Sequence, residues 1–434
     1  AVIGENAKLP QTGDYSFTPK PGQVVSVLDA VTKAAGPNVK INFAQGYTND
    51  APEDTSRVAE AAKAAKNSDI AIVVLGDRSD LTSGEGHDRA SLDLPKCQDE
   101  MLRAVQAAGK PVVMIIVSGR PYTIEWAAEK INAILETFYP GEEGGTAAAE
   151  ALFGDYNPAG RLPVTYPRFA GQCPLYYNFK PSGRKYEYLN MDFSPRWRFG
   201  FGLSYTKFRY SNIIVERGAS EDGNVKVSVD IENIGGRDGD EVAQAYFTDL
   251  VSTVDTPVMQ LVGFQRVNLK AGEKKTVSFE VTGYQLSLLD RNMDRILEPG
   301  RFKIMVGGVS PWAAPGDKYK ERVGYASAEE GVSDGFLSPK RLAADFAYEI
   351  KAPAEAKAGE PVALAVKVTN NGRMTDVGEV KLYAAGMFVQ SHRFEAAPGQ
   401  SKDVLFRITL KTPGDVKLLA AGKYSTAEKT IAVK

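Results

Sequence analysis

Up to about residue 160, short apolar runs alternate with alanine-rich amphipathic stretches, and that rhythm leaves few folds open. The runs at 39–45, 69–75, 111–118 and 133–138 are rich in Val, Ile and Leu and do not alternate in and out. Strands of that kind are covered on both faces, which calls for a parallel sheet with crossover helices. The stretches at 24–35, 55–66, 98–108 and 146–153 supply the helices. Pro95 stands before one of them, Gly109 closes it, and Gly144-Gly145-Thr146 opens another. Ala1-Val2-Ile3-Gly4 reads as a strand already under way, so a processed, split or truncated chain is expected.

Beyond residue 165 the texture changes. Aromatics such as Tyr176, Tyr177, Phe179, Tyr186, Tyr188, Phe193, Trp197, Phe199, Phe201 and Tyr205 crowd a segment with little periodicity. It reads as an ordered connector whose rings bury area against other surfaces. From residue 211, short alternating strands at 225–231, 242–248, 276–281 and 302–306 have the pattern of an antiparallel sandwich. Asn233-Ile234-Gly235 precedes Gly239 and Glu241-Val242, as Asn370-Asn371-Gly372 precedes Gly378-Glu379-Val380. One sandwich style used twice accounts for both, since two copies do not make a solenoid. The expected fold class is multidomain: an α/β sandwich with a mostly parallel sheet, followed by two all-β immunoglobulin-like sandwiches. Its parts are the α/β domain at 1–165, the connector at 166–210, a sandwich at 211–313, a linker at 314–343 and a last sandwich at 344–434.

A chain of 434 residues is too long for one ordinary core. Its net charge of −2 gives no electrostatic case for nucleic acid or an anionic membrane as partner. No apolar run reaches bilayer length, and residues 1–20 do not have the basic-then-apolar order of a signal peptide. Cys97 and Cys173 make neither a disulfide framework nor a zinc spacing and read as two ordinary thiols. With only His87 and His392, neither a Ser-His-Asp set nor a metal cluster can be assembled, and no cofactor is expected. Gly4-Glu5-Asn6-Ala7 lacks the glycine spacing of a dinucleotide turn, and Ser204 is not in a nucleophile elbow.

The stretch that carries chemistry is Ser83-Gly84-Glu85-Gly86-His87-Asp88-Arg89, directly after an apolar run. Glycines on both sides let the backbone of Glu85 approach a ligand closely. The carboxyl end of a strand is where open α/β sheets do their chemistry, so Glu85 is a candidate proton donor. Asp77, Asp80, Asp88 and Asp93 are its rivals. Asp88 reads better as an ion-pair partner of Arg89, and Asp93 as a cap for the next helix, which leaves Asp77 and Asp80 as alternatives. Glu142 and Glu143 sit in a glycine turn before a helix, where the dipole favours acids, and read as structural. His87 either contacts a substrate hydroxyl or is simply solvated.

Glu85 keeps specific company. Ser91-Leu92-Asp93-Leu94-Pro95 follows it, then Gly141-Glu142-Glu143-Gly144-Gly145-Thr146, then the stretch at 151–167 that contains Asn157-Pro158-Ala159-Gly160-Arg161-Leu162-Pro163. Phe199-Gly200-Phe201-Gly202-Leu203-Ser204-Tyr205-Thr206 comes last. This ordered set, spanning residue 1 to about 310, resembles the C-terminal portion of glycoside hydrolase family 3, the β-glucosidase and β-xylosidase family.

The resemblance implies a TIM-like barrel with an aspartate nucleophile, an α/β sandwich lending a glutamate acid/base, and a fibronectin type III-like sandwich. On it Glu85 is the acid/base, and His87 and the connector aromatics are possible sugar contacts. Retaining glycosidases need two carboxyl groups roughly 5–5.5 Å apart. Ser68-Asp69, Ser79-Asp80 and Ser333-Asp334 have no barrel around them, so the expected partner is a barrel domain or chain carrying the nucleophile. The implied activity is that of the acid/base-bearing part of a retaining exo-β-glycosidase acting on β-glucosides or oligosaccharides, with β-xylosidase as its variant. The rival reading is a non-catalytic carbohydrate-binding or scaffolding protein. A periplasmic or extracellular bacterial setting and a homodimer accompany the first, with 344–434 serving packing or oligomerisation.

Overall fold

Every residue of Ala71–Gly76 is buried, and the N-terminal sheet is built around this strand. The computed structural model describes residues 1–9, 12–13, 15–16, 22–79, 81–181, 188–191, 193–217, 224–298, 301–311, 325–331, 340–341, 346–371, 376–422 and 426–434. Among these, β1 (Val2–Ile3), β2 (Phe43–Ala44), β3 (Ala71–Gly76), β4 (Val112–Val117) and β5 (Ala133–Glu136) form a sheet of order β2-β1-β3-β4-β5, parallel throughout. Helices α1 (Val27–Ala35), α2 (Val58–Lys66), α3 (Lys96–Ala107), α4 (Glu125–Lys130) and α5 (Gly144–Phe153) connect and cover it.

The absence of alternation in these strands has a direct cause. Val2, Val74, Ile115 and Val117 pack under α1 and α5, while Ile3, Leu75, Met114 and Ile116 pack under α2 and α3. Both faces are therefore apolar. The chain leaves β1 toward β2 and returns on its other side to β3, so the strand order reverses at β1. The turns after β1 and β3 meet in the crevice where such sheets bind ligands.

Two local expectations change. The run at 39–45 contributes only Phe43–Ala44 to the ladder. Helix α4, six residues long, is too short to print a period on the sequence.

The connector's rings divide between packing and exposure: Phe201 is buried, while Tyr176, Tyr188 and Tyr205 are exposed. Tyr166 and Trp197 form an isolated antiparallel bridge, and Tyr177 stacks on Phe199 with centroids 4.3 Å apart. Tyr186 lies outside the described residues. Strands β6 (Phe208–Arg217), β7 (Val225–Asn233), β8 (Gly239–Asp249), β9 (Gln260–Leu269), β10 (Lys274–Val281), β11 (Leu288–Leu289), β12 (Arg295–Leu297) and β13 (Arg301–Gly307) follow. Sheets β10-β7-β6 and β14-β13-β8-β9 enclose Val227, Val229, Phe247, Phe279 and Ile304; β14 is Tyr325–Gly331. Part of the stretch read as linker is thus an edge strand paired with β13. Its Ala- and Glu-rich composition has little β propensity of its own, and backbone pairing supplies the strand.

Strand β15 (Lys340–Arg341) pairs with β12. The remaining strands are β16 (Phe346–Lys351), β17 (Glu355–Ala356), β18 (Pro361–Asn370), β19 (Asp376–Ala384), β20 (Met387–Ala396), β21 (Ser401–Thr409), β22 (Gly414–Ala421) and β23 (Thr426–Val433). They form sheets β16-β18-β21 and β17-β23-β22-β19-β20 around Val366, Val380, Leu382 and Leu418.

The Asn-x-Gly repeat has one structural meaning in both sandwiches. Asn233 exchanges backbone bonds with Glu273 and Gly272, and Asn370 does so with Gln400 and Gly399. Each buried side chain donates to a neighbouring strand end, Asn233 to Leu269 O at 3.0 Å and Asn370 to Ala396 O at 2.8 Å. Among the described residues no helix is long and apolar enough to cross a membrane.

Candidate active site

The first residue after β3 is sealed. Asp77 has no solvent exposure, and its amide donates to Val117 O at 2.7 Å. The Tyr122 hydroxyl donates to its Oδ1 at 2.5 Å, and Oδ2 lies 3.4 Å from Arg120 Nε. Burial pushes this carboxyl above the ordinary aspartate range, against the opposing pull of Tyr122, Arg120, Arg89 and Ser83. A carboxylate enclosed in this way has no face to offer a substrate oxygen. Asp80, the other alternative, lies outside the described residues.

Beyond Asp77 two pairs of residues are closed by hydrogen bonds. Thr82 N donates to Arg78 O at 2.8 Å, and Arg78 N donates to Thr82 Oγ1 at 2.9 Å. Further on, His87 N donates to Gly84 O at 3.0 Å, placing Glu85 and Gly86 at the corners of a β-turn. Gly86 has φ +81° and Glu85 keeps a negative φ, the signature of a type II turn, whose third position needs glycine. Between the two pairs Ser83 is buried, and its hydroxyl accepts from Arg120 Nη2 at 2.5 Å.

Glu85 and His87 are exposed on this β-turn, and their side chains make no hydrogen bond with each other. Beside it runs a groove of about 1090 Å³, walled by Asn49, His87, Arg89, Trp126, Arg168 and Phe169 among others. Glu85 is not part of that wall. Arg168 and Arg196 converge on Glu125, fixing the connector against α4.

The neighbouring acids have other work. Arg89 donates to the Asp93 carbonyl at 3.0 Å and forms no salt bridge with Asp88. Asp93 does not cap α3, because Pro95 takes the N-cap position. Its carboxylate accepts instead from Ser91 Oγ at 3.0 Å and from the Thr123 hydroxyl, clipping the loop to the segment before α4. Glu143 accepts from Thr146 Oγ1 at 2.8 Å at the start of α5, and Glu142 accepts from Gln23 Nε2 at 3.1 Å.

One carboxyl escaped notice in the sequence. Glu136, at the end of β5, accepts from Tyr166 OH at 2.7 Å, Phe138 N at 3.0 Å and Ser118 Oγ at 3.3 Å. Burial pushes it up to about 7 despite these donors. An acid inside the apolar run at 133–138 was the available signal. Arg120, Tyr122 and Tyr166 gave none, because what defines them is contact with distant segments.

Several look-alikes resolve into packing. The turn after β1 is filled by its own side chains: Asn6 Nδ2 donates to Asp77 O at 3.1 Å, and Glu5 Oε2 accepts from Asn49 N at 2.6 Å. Ser204 Oγ donates to Asn157 Oδ1 at 2.9 Å, and His392 packs on Phe406 in the last sandwich. Cys97 is buried, Cys173 is exposed, and both are free thiols. Among the described residues no three His, Cys, Asp or Glu side chains are grouped to hold a metal ion.

Comparison with known proteins gives this geometry its setting. Residues 1–205 match the Glycosyl hydrolase family 3 C-terminal domain, and residues 241–310 match the Fibronectin type III-like domain. A Beta-xylosidase of Formosa agariphila is 42% identical over 320 residues, covering 71% of this chain and 44% of that protein. A Periplasmic beta-glucosidase of Salmonella typhimurium is 35% identical over 341 residues, again 71% of this chain and 44% of that protein. The chain thus spans less than half the length of these relatives. Among solved structures, a β-glucosidase from Erythrobacter marinus superposes with a TM-score of 0.67 at 34% identity, covering 76% of this chain and 46% of that one. The beta-glucosidase from Listeria innocua in complex with isofagomine gives 0.66 at 29% identity, covering 76% and 45%.

Proposed function

The chain belongs to glycosyl hydrolase family 3, and on that premise we propose that it supplies the acid/base half of a retaining exo-acting β-glycosidase. The observation that carries the reading is Glu85 itself: a carboxyl without a protein partner among the described residues, exposed on a type II turn at the carboxyl edge of a parallel sheet. In this role Glu85 protonates the departing glycosidic oxygen and then takes a proton from the water that releases the sugar. A nucleophilic aspartate on a TIM-like barrel forms the glycosyl-enzyme intermediate from the opposite side. The substrate is a terminal non-reducing β-D-glucosyl residue, and His87 contributes a hydroxyl contact.

β-Xylosidase is the second reading, and the 42% identity to the Formosa agariphila enzyme favours it. A periplasmic or extracellular setting accords with the Salmonella relative's name. Homodimerisation has support in the last sandwich, where edge strand β20 leaves Met387, Phe388 and Val389 exposed.

The test joins the chain to its barrel and assays aryl β-glucoside and β-xyloside, with Glu85→Ala alongside. Loss of about 100-fold or more on substrates with poor leaving groups is the expected result, with azide restoring turnover of the activated aryl glycoside, whose slow step in the variant is release of the glycosyl-enzyme. A variant as active as wild type on natural disaccharides overturns the assignment, and the ratio of the two aryl glycosides decides between glucosidase and xylosidase.

A further inference from the structure

We propose that Arg120 is a positioning residue: through Ser83 it fixes the stem of the turn bearing Glu85, with Asp77 holding the guanidinium in place. The inference rests on the acid/base reading of Glu85 and adds the device that aims it.

Arg78 and Thr82 are tied to each other by two hydrogen bonds, and the turn at 84–87 is closed by the bond from His87 N to Gly84 O. Ser83 is the single residue between them, and Gly84 after it has φ +135°. Any swing of Glu85 relative to the sheet therefore pivots at this pair. Ser83 is buried at that pivot, and its hydroxyl is tethered across 37 positions of sequence to Arg120 Nη2 at 2.5 Å.

Arg120 is itself held at both ends. Ser118 Oγ donates to its carbonyl at 2.7 Å, and its Nε lies 3.4 Å from the buried carboxylate of Asp77. Tyr122 OH fixes the other oxygen of that carboxylate at 2.5 Å. The chain of contacts runs from β4, through a buried charge, to a hydroxyl two residues before Glu85. One rigid plane sets Arg120 Nη2 on the Ser83 hydroxyl and Nε beside the Asp77 carboxylate; a lysine ammonium at the same place is a compact point charge on a flexible stem and holds neither direction. A general acid displaced by about 1 Å loses roughly 100-fold of its effect, which is the kind of error this tether prevents.

The experiment uses Ser83→Ala, Arg120→Lys and Glu85→Gln in the enzyme joined to its barrel. The probes are 2,4-dinitrophenyl β-glucoside, whose leaving group needs no proton, and cellobiose, whose leaving group does. Ser83→Ala and Arg120→Lys should lose about 10- to 100-fold in kcat/KM on cellobiose and less than about 3-fold on the dinitrophenyl substrate. Amide hydrogen exchange over residues 83–90 should rise in both, while β3 and β4 keep their protection. Equal losses on both substrates mean a merely structural role and overturn the proposal, as do two unchanged activities. If Glu85→Gln discriminates between the substrates and the other two variants do not, the positioning role alone fails. If Glu85→Gln does not discriminate, the acid/base reading fails and the positioning role falls with it.

Discussion

The Tyr166 hydroxyl donates to Glu136 Oε2 at 2.7 Å, joining the connector to the last strand of the parallel sheet through a carboxyl that burial pushes up to about 7. In the unfolded chain that carboxyl titrates near 4.5. Between these values the folded protein holds a proton that the unfolded chain has released, so stability falls as pH rises through the window. Glu136→Gln still accepts from the phenol but carries no titrating group. Urea unfolding, followed by the fluorescence of Trp126 and Trp197, which pack against this core, should show wild type losing stability relative to the variant between about pH 4.5 and 7. Asp249 is also raised by burial but acts in both proteins and cancels in the comparison, whereas the charge of Asp77 is one of the causes that raise Glu136 and belongs to the effect measured. A constant gap between wild type and variant across this range refutes the assignment.

Gly76 ends β3 with φ +120°, and a Cβ there would lie 2.1 Å from the Val117 carbonyl oxygen. Neither the backbone angle nor the space admits a side chain without moving β3 from β4. Gly76→Ala should therefore cost about 3 kcal/mol in denaturant unfolding, combining left-handed strain with overpacking. A cost under about 0.5 kcal/mol would mean that the strands separate freely at this end.

How much of this was legible in sequence follows from what each feature depends on. Strands β3 and β4 announce themselves because burial on both faces demands an apolar residue at every position. The length of β2 does not, since hydrophobicity cannot mark where ladder hydrogen bonds stop. The turn at Glu85 was legible because a type II geometry needs Gly86, a requirement local to four residues. Its anchor was not: Ser83 and Arg120 meet only once β3 and β4 are side by side. Asp93 illustrates the reverse error. Its spacing suits a helix cap, yet Ser91 and Thr123 offer hydroxyl donors and Pro95 already occupies the cap.

Cys97 and Cys173 should respond differently to a thiol reagent. Cys97, in the first turn of α3, faces the core shared with α2, and burial pushes its thiol up to about 11, so little reactive thiolate is present near neutral pH. Cys173 is exposed. Dithionitrobenzoate should label one thiol per chain in the native protein and two in guanidinium, with mass spectrometry placing the native label on Cys173. Rapid native labelling of both would contradict the packing around α3.

Glu241 makes a buried, charged link between the N-terminal sandwich and the one that follows. Its Oε2 accepts from Arg161 Nη2 at 3.0 Å, its Oε1 accepts from Tyr210 OH at 2.9 Å, and both charged side chains are at most 9% exposed. Arg161 also donates to the carbonyls of Ala159 and Gly160, each at 3.0 Å, so the guanidinium is fixed to the segment leaving α5 while its partner sits on β8. Removing one member leaves the other charged, buried and unpaired, which costs about 3–5 kcal/mol. Removing both spares that penalty. Glu241→Met and Arg161→Met should each lower the calorimetric transition and separate the unfolding of the two sandwiches, and the double variant should recover part of the loss. Additive losses in the double variant would mean that the two side chains act independently and that the sandwiches are coupled by apolar contact instead.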